Sequence, residues 1–450
     1  MGKFKKTIFL TIQKIVAVLA WIVIFPVVWI QPLLARRRGG PRLVWGPVPI
    51  ISNKYWSNAL NKAGYYSRTI MFSYQADINR ADDYDIDIYG LVNLHLRPLQ
   101  KIYDYWLCPY VAFLYSVYHF DIFHHSFHGG FLGKTPLWLW EAFFLRLAGK
   151  KVVIIPIGED AYLYSQIMDP ALRHVLMIIR TQNAKREAYI KERVDYWTRN
   201  ADIIDVCTMI DGMGRWDLVP FNMMTINTTL WQPKKFYSPS DGTNGVVKIF
   251  HAPNHRSYKG TEFLVRAVEE LKAEGLQVEL LLVEKKPNEE VRRLMNEEAD
   301  ILAEQFIATG HGLTGIEGMA SGLPVMANLE HEAYTRLFRR YSYLNECPML
   351  STTPETVKQN LRVLITTPRL REELGLAGRQ YVEKYHSEET ARYMFGAIYD
   401  KIWYGKDVDL MNLFHPITSE YNRLKPIVQH PLIENKLPAS YFSDVETFVS

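Results

Sequence analysis

From Ile15 to Ile30 the chain reads IVAVLAWIVIFPVVWI, a run without a charge, and the looser apolar stretch Ile8 to Leu34 admits only Gln13, Lys14 and Gln31 as strongly polar members. A straight span needs about 20 apolar residues. The looser stretch is therefore long enough to cross a bilayer, with Lys14 snorkelling and Trp21 and Trp29 near the interfaces. Pro26 removes a backbone donor and favours a kink, which leaves a re-entrant or surface-lying helix as the competing reading and a buried soluble helix as a third. Arg36-Arg37-Arg38 stand where a secretory signal would carry a small-residue cleavage site, which argues against such a signal. Lys3, Lys5 and Lys6 make the other flank basic too, so the positive-inside rule does not choose an orientation.

Past residue 40 short apolar runs alternate with helical periodicity. Residues 42–51 (RLVWGPVPII) predict a buried strand stopped at Gly46-Pro47, and Lys54 to Ala63 a helix closed by Gly64. Ile122-Phe123, Val152 to Ile155 and Ile203 to Thr208 are further strands, separated by helical stretches such as Pro170 to Tyr196; this alternation predicts a parallel, doubly wound sheet. After the turn-rich linker Ser238 to Gly245 the pattern restarts. Val246 to His251 reads as a strand, Phe263, Leu264, Ala267, Val268 and Leu271 as one helical face, and Val278 to Val283 as a returning strand. Periodicity fades after Ile402, and a segment with Pro416, Pro426, Pro431 and Pro438 reads as an extended tail that wraps back or awaits a partner. The expected division is a membrane-associated helix (1–40), a first Rossmann-like domain (41–237), a second (246–402) and a tail (403–450). The aromatic stretch Tyr103 to Tyr118, with Leu137 to Trp140 and Phe143-Phe144, reads either as core or as a second lipid-facing surface.

Charge sharpens the N-terminal reading. The net charge is +4, yet no acidic residue precedes Asp77, while residues 1–76 hold eleven basic ones. Basic residues bracketing an apolar run suit anionic headgroups; a nucleic-acid partner, which calls for Lys and Arg spread over a folded face, is not expected. Cys108, Cys207 and Cys347 are too few and too widely spaced for a disulfide framework or a structural zinc site.

Two doubly wound domains imply a cleft facing the carboxyl ends of both sheets, where such folds bind ligands. Two segments there carry candidate chemistry. His251 to Thr261 joins a strand to a helix and contains Arg256 and Lys259, cations suited to a diphosphate or, failing that, to a solvated loop. In Ala308-Thr-Gly-His-Gly-Leu-Thr-Gly-Ile-Glu317, the glycines let a backbone approach a ligand closely, and Glu317 lies where a carboxylate accepts both ribose hydroxyls of a nucleotide. His124, His125 and His128 lie in a loop expected at the cleft, as polar lining, as structural histidines or as metal ligands, though no carboxylate or cysteine stands at ligand spacing. Asp83-x-Asp85-x-Asp87 invites a metal-binding reading, but its place before the cleft loops favours a surface turn.

The string Gly310 to Val325 with the Arg256 and Lys259 loop resembles the donor domain of GT-B retaining glycosyltransferases of the family 4 type, over about Val246 to Ile402. Gly46, Asp121 to Gly130, Gly149-Lys150-Lys151 and Pro156 to Asp160 resemble the acceptor domain more weakly. The resemblance implies that Arg256 and Lys259 neutralise a leaving diphosphate and that Glu317 holds the ribose. It implies that Thr309, Gly310, His311, Gly312, Leu313 and Thr314 cup the phosphates and donor sugar, that Gly46 lets its loop approach the diphosphate, and that His128 sits beside the sugar. Thr309 replaces the glutamate that relatives carry eight residues before Glu317, and Ile157 stands where many have histidine. No metal or cofactor is required. The implied reaction is transfer of a sugar from a UDP- or GDP-linked donor to a polyprenyl-linked or other lipid-linked glycan, with retention, at the cytoplasmic face of the cell membrane. A glycolipid or protein acceptor, and a catalytically silent GT-B scaffold or sugar-nucleotide sensor, are the alternatives.

Overall fold

A computed structural model describes residues 3–34, 39–72, 83–206 and 209–443; Arg36 to Arg38, Cys207 and Thr208 lie outside the described residues, as do the side chains of Lys3, Lys5 and Lys6. The first sheet contains β1 (Arg42–Trp45), β2 (Tyr66–Met71), β3 (Ile86–Asp87), β4 (Ile122–His125), β5 (Lys151–Ile154) and β6 (Ile203–Ile204), ordered β3-β2-β1-β4-β5-β6. The second contains β7 (Val247–His251), β8 (Val278–Leu282), β9 (Ile301–Gln305), β10 (Val325–Ala327) and β11 (Leu350–Ser351), ordered β11-β10-β9-β7-β8. Every pairing between these strands is parallel. The expectation of two parallel α/β domains therefore holds, and each sheet reverses its winding once, between β1 and β4 and between β7 and β9.

The helices of the first half are α1 (Lys3–Leu34), α2 (Ile51–Lys62), α3 (Arg97–Ile102), α4 (Cys108–His119), α5 (Glu141–Leu147), α6 (Pro170–Ile179), α7 (Thr181–Ala184) and α8 (Glu187–Asn200). Those of the second are α9 (Arg256–Lys259), α10 (Thr261–Ala273), α11 (Asn288–Glu297), α12 (Leu313–Ala320), α13 (Glu332–Tyr341), α14 (Val357–Thr366), α15 (Pro368–Tyr385) and α16 (Glu388–Ile402). Local chemistry sets several starts: Asp169 caps α6 by accepting from the N–H groups of Ala171 and Leu172, with Pro170 at the first helical position. In α10, Leu264, Ala267, Val268 and Leu271 are buried as the spacing predicts, whereas Phe263 stays exposed.

Helix α16 departs from the expected division. Although contiguous with the second domain, α16 packs on the first: Phe395 meets Trp45 and Trp56 edge-on, and Tyr399 hydrogen-bonds His124 at 3.0 Å. Over its described part the tail wraps back on the body, one of the two expected alternatives. Leu410, Phe414, Tyr421 and Val428 are buried, Glu346 accepts from the N–H of Val428 at 2.8 Å, and the carbonyl of Asn435 accepts from the N–H of Ser351 in β11 at 2.7 Å.

Gly46 ends β1 at φ +143°, and a Cβ there would lie 2.0 Å from the Ile70 carbonyl oxygen. Close packing against β2 thus already demands glycine, whatever ligand comes near. Gly46→Ala is expected to destabilise the protein by at least about 2 kcal/mol, seen as a lowered melting temperature; an unchanged melt would mean that the β1 and β2 ends part freely.

Candidate active site

The loops at the carboxyl ends of the two sheets meet. Asp211, beyond β6, accepts from the Tyr334 hydroxyl of α13 at 2.6 Å. Glu159, beyond β5, pairs with Arg180 at 2.7 Å, and Arg180 donates to Nε2 of His255, beyond β7, at 3.2 Å. Asn222 bonds both Nδ1 and the carbonyl of His311, and Tyr343 donates to the Asn222 carbonyl. These bridges join the two halves near the carboxyl ends of β5, β6, β7 and β9, the end at which open α/β sheets bind ligands.

On the second domain, β9 leads into the glycine-rich turn and α12. Gly310 sits at φ +105°, its N–H bonded to the Asn328 carbonyl and its own carbonyl accepting from Gln305 at 2.9 Å. Gly312 precedes the first turn of α12, where Leu313 and Thr314 are partly exposed, so the start of the helix, where backbone donors lack intrahelical partners, is reachable from outside. Thr309 and His311 are buried, and Thr309 Oγ1 and His311 Nε2 have no hydrogen-bond partner among the described residues.

Lys259 runs beneath this turn. Its ammonium pairs with Glu304 Oε1 and lies 3.0 Å from Gln305 Oε1, and Glu304 Oε1 also accepts from the Gly312 N–H at 3.2 Å. The Glu304 side chain is fully buried, and its second oxygen lacks a partner among the described residues. Sequence reasoning missed Glu304 altogether. One signal was available: ILAEQ, an apolar run directly before a glycine-rich turn, fits a buried strand entering a ligand loop.

Glu317 is buried on α12 and accepts from Asn288 Nδ2 at 3.1 Å. Burial raises its carboxyl to about 7, the Asn288 hydrogen bond opposing. Tyr55 of α2 faces it from the first domain: its phenol is pushed up to about 12, by burial first and then by the charges of Glu317 and Asp83. Arg256, in contrast, is 41% exposed and held by Glu262 and Glu284. For it to meet a diphosphate, its side chain must leave that pair.

The three histidines have separate fates. His124 is buried in β4, stacked on Trp45 at 3.8 Å between ring centroids and bonded to the Val44 carbonyl and the Tyr399 hydroxyl; burial lowers it to about 3. His125 is buried edge-on to Trp197 and lowered to about 4 for the same reason. These two are core groups. Only His128 is exposed, on the loop after β4, with Asp160 and Glu159 as charged neighbours. That loop is rigidly built: Glu141 accepts from Gly130 and Leu132, Arg193 donates to the carbonyls of His128 and Gly133, and Asp160 accepts from Phe127 and Ile157. The aspartates of the Asp83-x-Asp85-x-Asp87 stretch serve structure, with Asp83 paired to Lys54, Asp85 bound to Thr69 and Asp87 capping the turn at Tyr89. Among the described residues no group of three His, Cys, Asp or Glu side chains is placed to hold a metal ion.

No family model matches the sequence, and no curated protein matches it. Solved structures do resemble the chain. Anabaena Alr3699/HepE, in complex with UDP and glucose, is similar at 12% identity and TM-score 0.49, over 80% of this chain and 100% of its own. A protein assigned as a UDP-N-acetylglucosamine 2-epimerase from Listeria monocytogenes is similar at 11% identity and TM-score 0.44, over 82% and 99%. S. aureus MnaA, solved with UDP, is similar at 14% identity and TM-score 0.40, over 82% and 98%. At such distances these likenesses carry no part of the functional argument.

Proposed function

We propose that the protein is a GT-B glycosyltransferase that takes a sugar from a UDP- or GDP-linked donor and passes it to a lipid-linked glycan at the cytoplasmic side of the cell membrane. The observation that carries this reading is the convergence, at the carboxyl ends of the second sheet, of a glycine-rich turn opening a helix, a buried lysine beneath that turn and a buried carboxylate one turn further on. In the proposed complex the α12 N-terminus and Lys259 hold the diphosphate, and Glu317 in its ionised form accepts the ribose hydroxyls. Arg256 closes over the leaving group once freed from Glu262 and Glu284.

Glycosyl transfer passes through an oxocarbenium-like state, so the protein's main tasks are to stabilise the departing diphosphate and to hold the acceptor hydroxyl about 3 to 3.5 Å from the anomeric carbon. The rigid His128 loop supplies the acceptor-side wall. No side chain in the cleft is assigned as a covalent nucleophile, and retention by same-face attack remains part of the proposal, as does the lipid character of the acceptor; a glycolipid or protein would be served by the same donor site. With cations in place, charge neutralisation does not require a metal.

Thermal unfolding of the detergent-purified protein with UDP, GDP and their sugar conjugates tests the reading. A nucleotide at 100 times its dissociation constant is expected to add about 2.7 kcal/mol of stability. Stabilisation by one base identifies the donor class. Folded protein that none of them stabilises would leave the silent scaffold as the better account.

A further inference from the structure

Helix α1 is seated on the first domain along most of its length. Near one end, Phe9 packs against Tyr105 and Trp106 with ring centroids 5.7 and 5.1 Å away. Midway, Trp21 stacks on Phe25 and meets Trp140 edge-on at 5.7 Å. Near the other end, Gln31 donates to the Val117 carbonyl at 3.2 Å. Ala17, Ile24 and Val28 are buried between these points, on the stripe that faces α4 and α5. At 1.5 Å per residue, Phe9 to Gln31 covers about 33 Å, which exceeds a typical hydrocarbon core of about 30 Å.

This seating decides between the two membrane readings of the helix. If α1 crossed a bilayer while docked, the ground beneath it would have to cross as well, including Asp104 with its Gln100 hydrogen bond and the exposed Arg146. Ionised groups in hydrocarbon are strongly disfavoured. An in-plane helix meets no such obstacle.

The outward side of α1 is apolar apart from Thr7, Thr11 and Lys14: Ile8, Ile15, Val18, Leu19, Ile22 and Trp29 are all exposed, Trp29 by 62%. The surface continues onto the domain through Leu99, Ile102 and Tyr105 near Phe9 and through Leu139, Trp140 and Phe143 near Trp21. Exposed cations stand among these groups, namely Lys14, Arg97, Lys101 and Arg146, beside one half-buried carboxylate, Asp104, bonded to Gln100; no acidic residue occurs before Asp77. Apolar groups ringed by Lys and Arg match the boundary between acyl chains and anionic headgroups. We propose that this face is a monotopic docking surface on which the protein lies against one anionic lipid leaflet, with α1 in the membrane plane instead of across it. The proposal gives a geometry to the membrane part of the function above and is independent of the nucleotide site.

The test uses the full chain with Cys207→Ser, since Cys108 and Cys347 are buried. Spin labels at Ile12→Cys, Leu19→Cys and Ile30→Cys are placed in phosphatidylglycerol-containing vesicles and their depths read from oxygen and nickel accessibility. An in-plane helix gives one common depth, about 5 to 10 Å below the phosphates. A gradient with Leu19→Cys near the bilayer centre, about 15 Å deep, would overturn the proposal in favour of a span.

Flotation adds a second reading. Val18→Glu with Ile22→Glu, both at exposed positions, is expected to lower partition into anionic vesicles by at least about tenfold while leaving the melting temperature and nucleotide stabilisation unchanged. Unchanged partition, equal partition into neutral phosphatidylcholine vesicles, or conversion of a stable dimer into a monomer by the double substitution would each overturn it. Glu317→Ala should float as the wild type does, so failure of the donor-site reading and failure of this one are told apart.

Discussion

Lys259→Ala is expected to destabilise the folded protein by about 3 to 5 kcal/mol and to abolish stabilisation by the nucleotide donor. Both effects come from one geometry. The Lys259 ammonium and the fully buried Glu304 carboxylate are paired beneath the glycine-rich turn, with the Gly312 N–H on the same carboxylate oxygen. Removing the cation leaves a buried charge with, among the described residues, only that N–H and no partner on its second oxygen. Adding Glu304→Gln removes the stranded charge, so the double variant should recover most of the lost stability. It should not recover donor binding, because the diphosphate still lacks its cation. Thermal melts of both variants with and without nucleotide separate the two roles. If the double variant regains nucleotide binding too, Lys259 serves the fold alone and the donor-site assignment loses its main cation.

The second large effect concerns Glu317. Burial raises its carboxyl from 4.5 to about 7, so the folded protein keeps a proton that the unfolded chain has released. The stabilising contribution is complete below about pH 4.5 and is lost as pH rises through 7, a swing of about 3 kcal/mol for this group taken alone. Glu141, raised to about 7 by burial, adds to the same window. Glu317→Gln should therefore melt higher than the wild type at pH 8, with the difference fading toward pH 5. The same substitution should weaken nucleotide binding about 10- to 100-fold at pH 8, because the ionised form accepts the ribose hydroxyls. Wild-type affinity should accordingly rise with pH through 7. A variant that is no more stable at pH 8, or that binds nucleotide normally, would remove Glu317 from the site.

The two predictions differ in how far the sequence led to them. That Glu317 follows the turn between Thr309 and Thr314 on one helix was legible, because a glycine-rich strand-to-helix turn followed by an acid has a spacing set by that helix. Glu304 was not. It lies on a strand buried on both faces, where ILAEQ shows no alternation, and its partner stands forty-five residues away. By sequence His124 stays open between lining, structural and metal-ligating roles for the opposite reason. Three histidines in five residues suggest a site, yet the alternation of β4 sends His124 onto Trp45 and toward Tyr399 of α16, and that helix comes from the far end of the chain.

Arg256 shows the same limit at the surface. The pattern placed it in the diphosphate loop, but the fold brings Glu262 and Glu284 to it. Tyr55 and Asn288 could not be read as neighbours of Glu317, because each comes from an element joined to α12 only through folding.

By itself the sequence determined the restart of the α/β pattern at β7, the apolar character of α1 and the glycine-rich turn, since hydrophobic period and glycine spacing act over one or two turns of chain. Only the tertiary structure decided that Lys259 is paired, that α16 returns to the first domain and that α1 lies docked along it. Those outcomes depend on which distant side chains the packing brings within a few ångströms, and a buried charge or an apolar stripe takes its meaning from that neighbour.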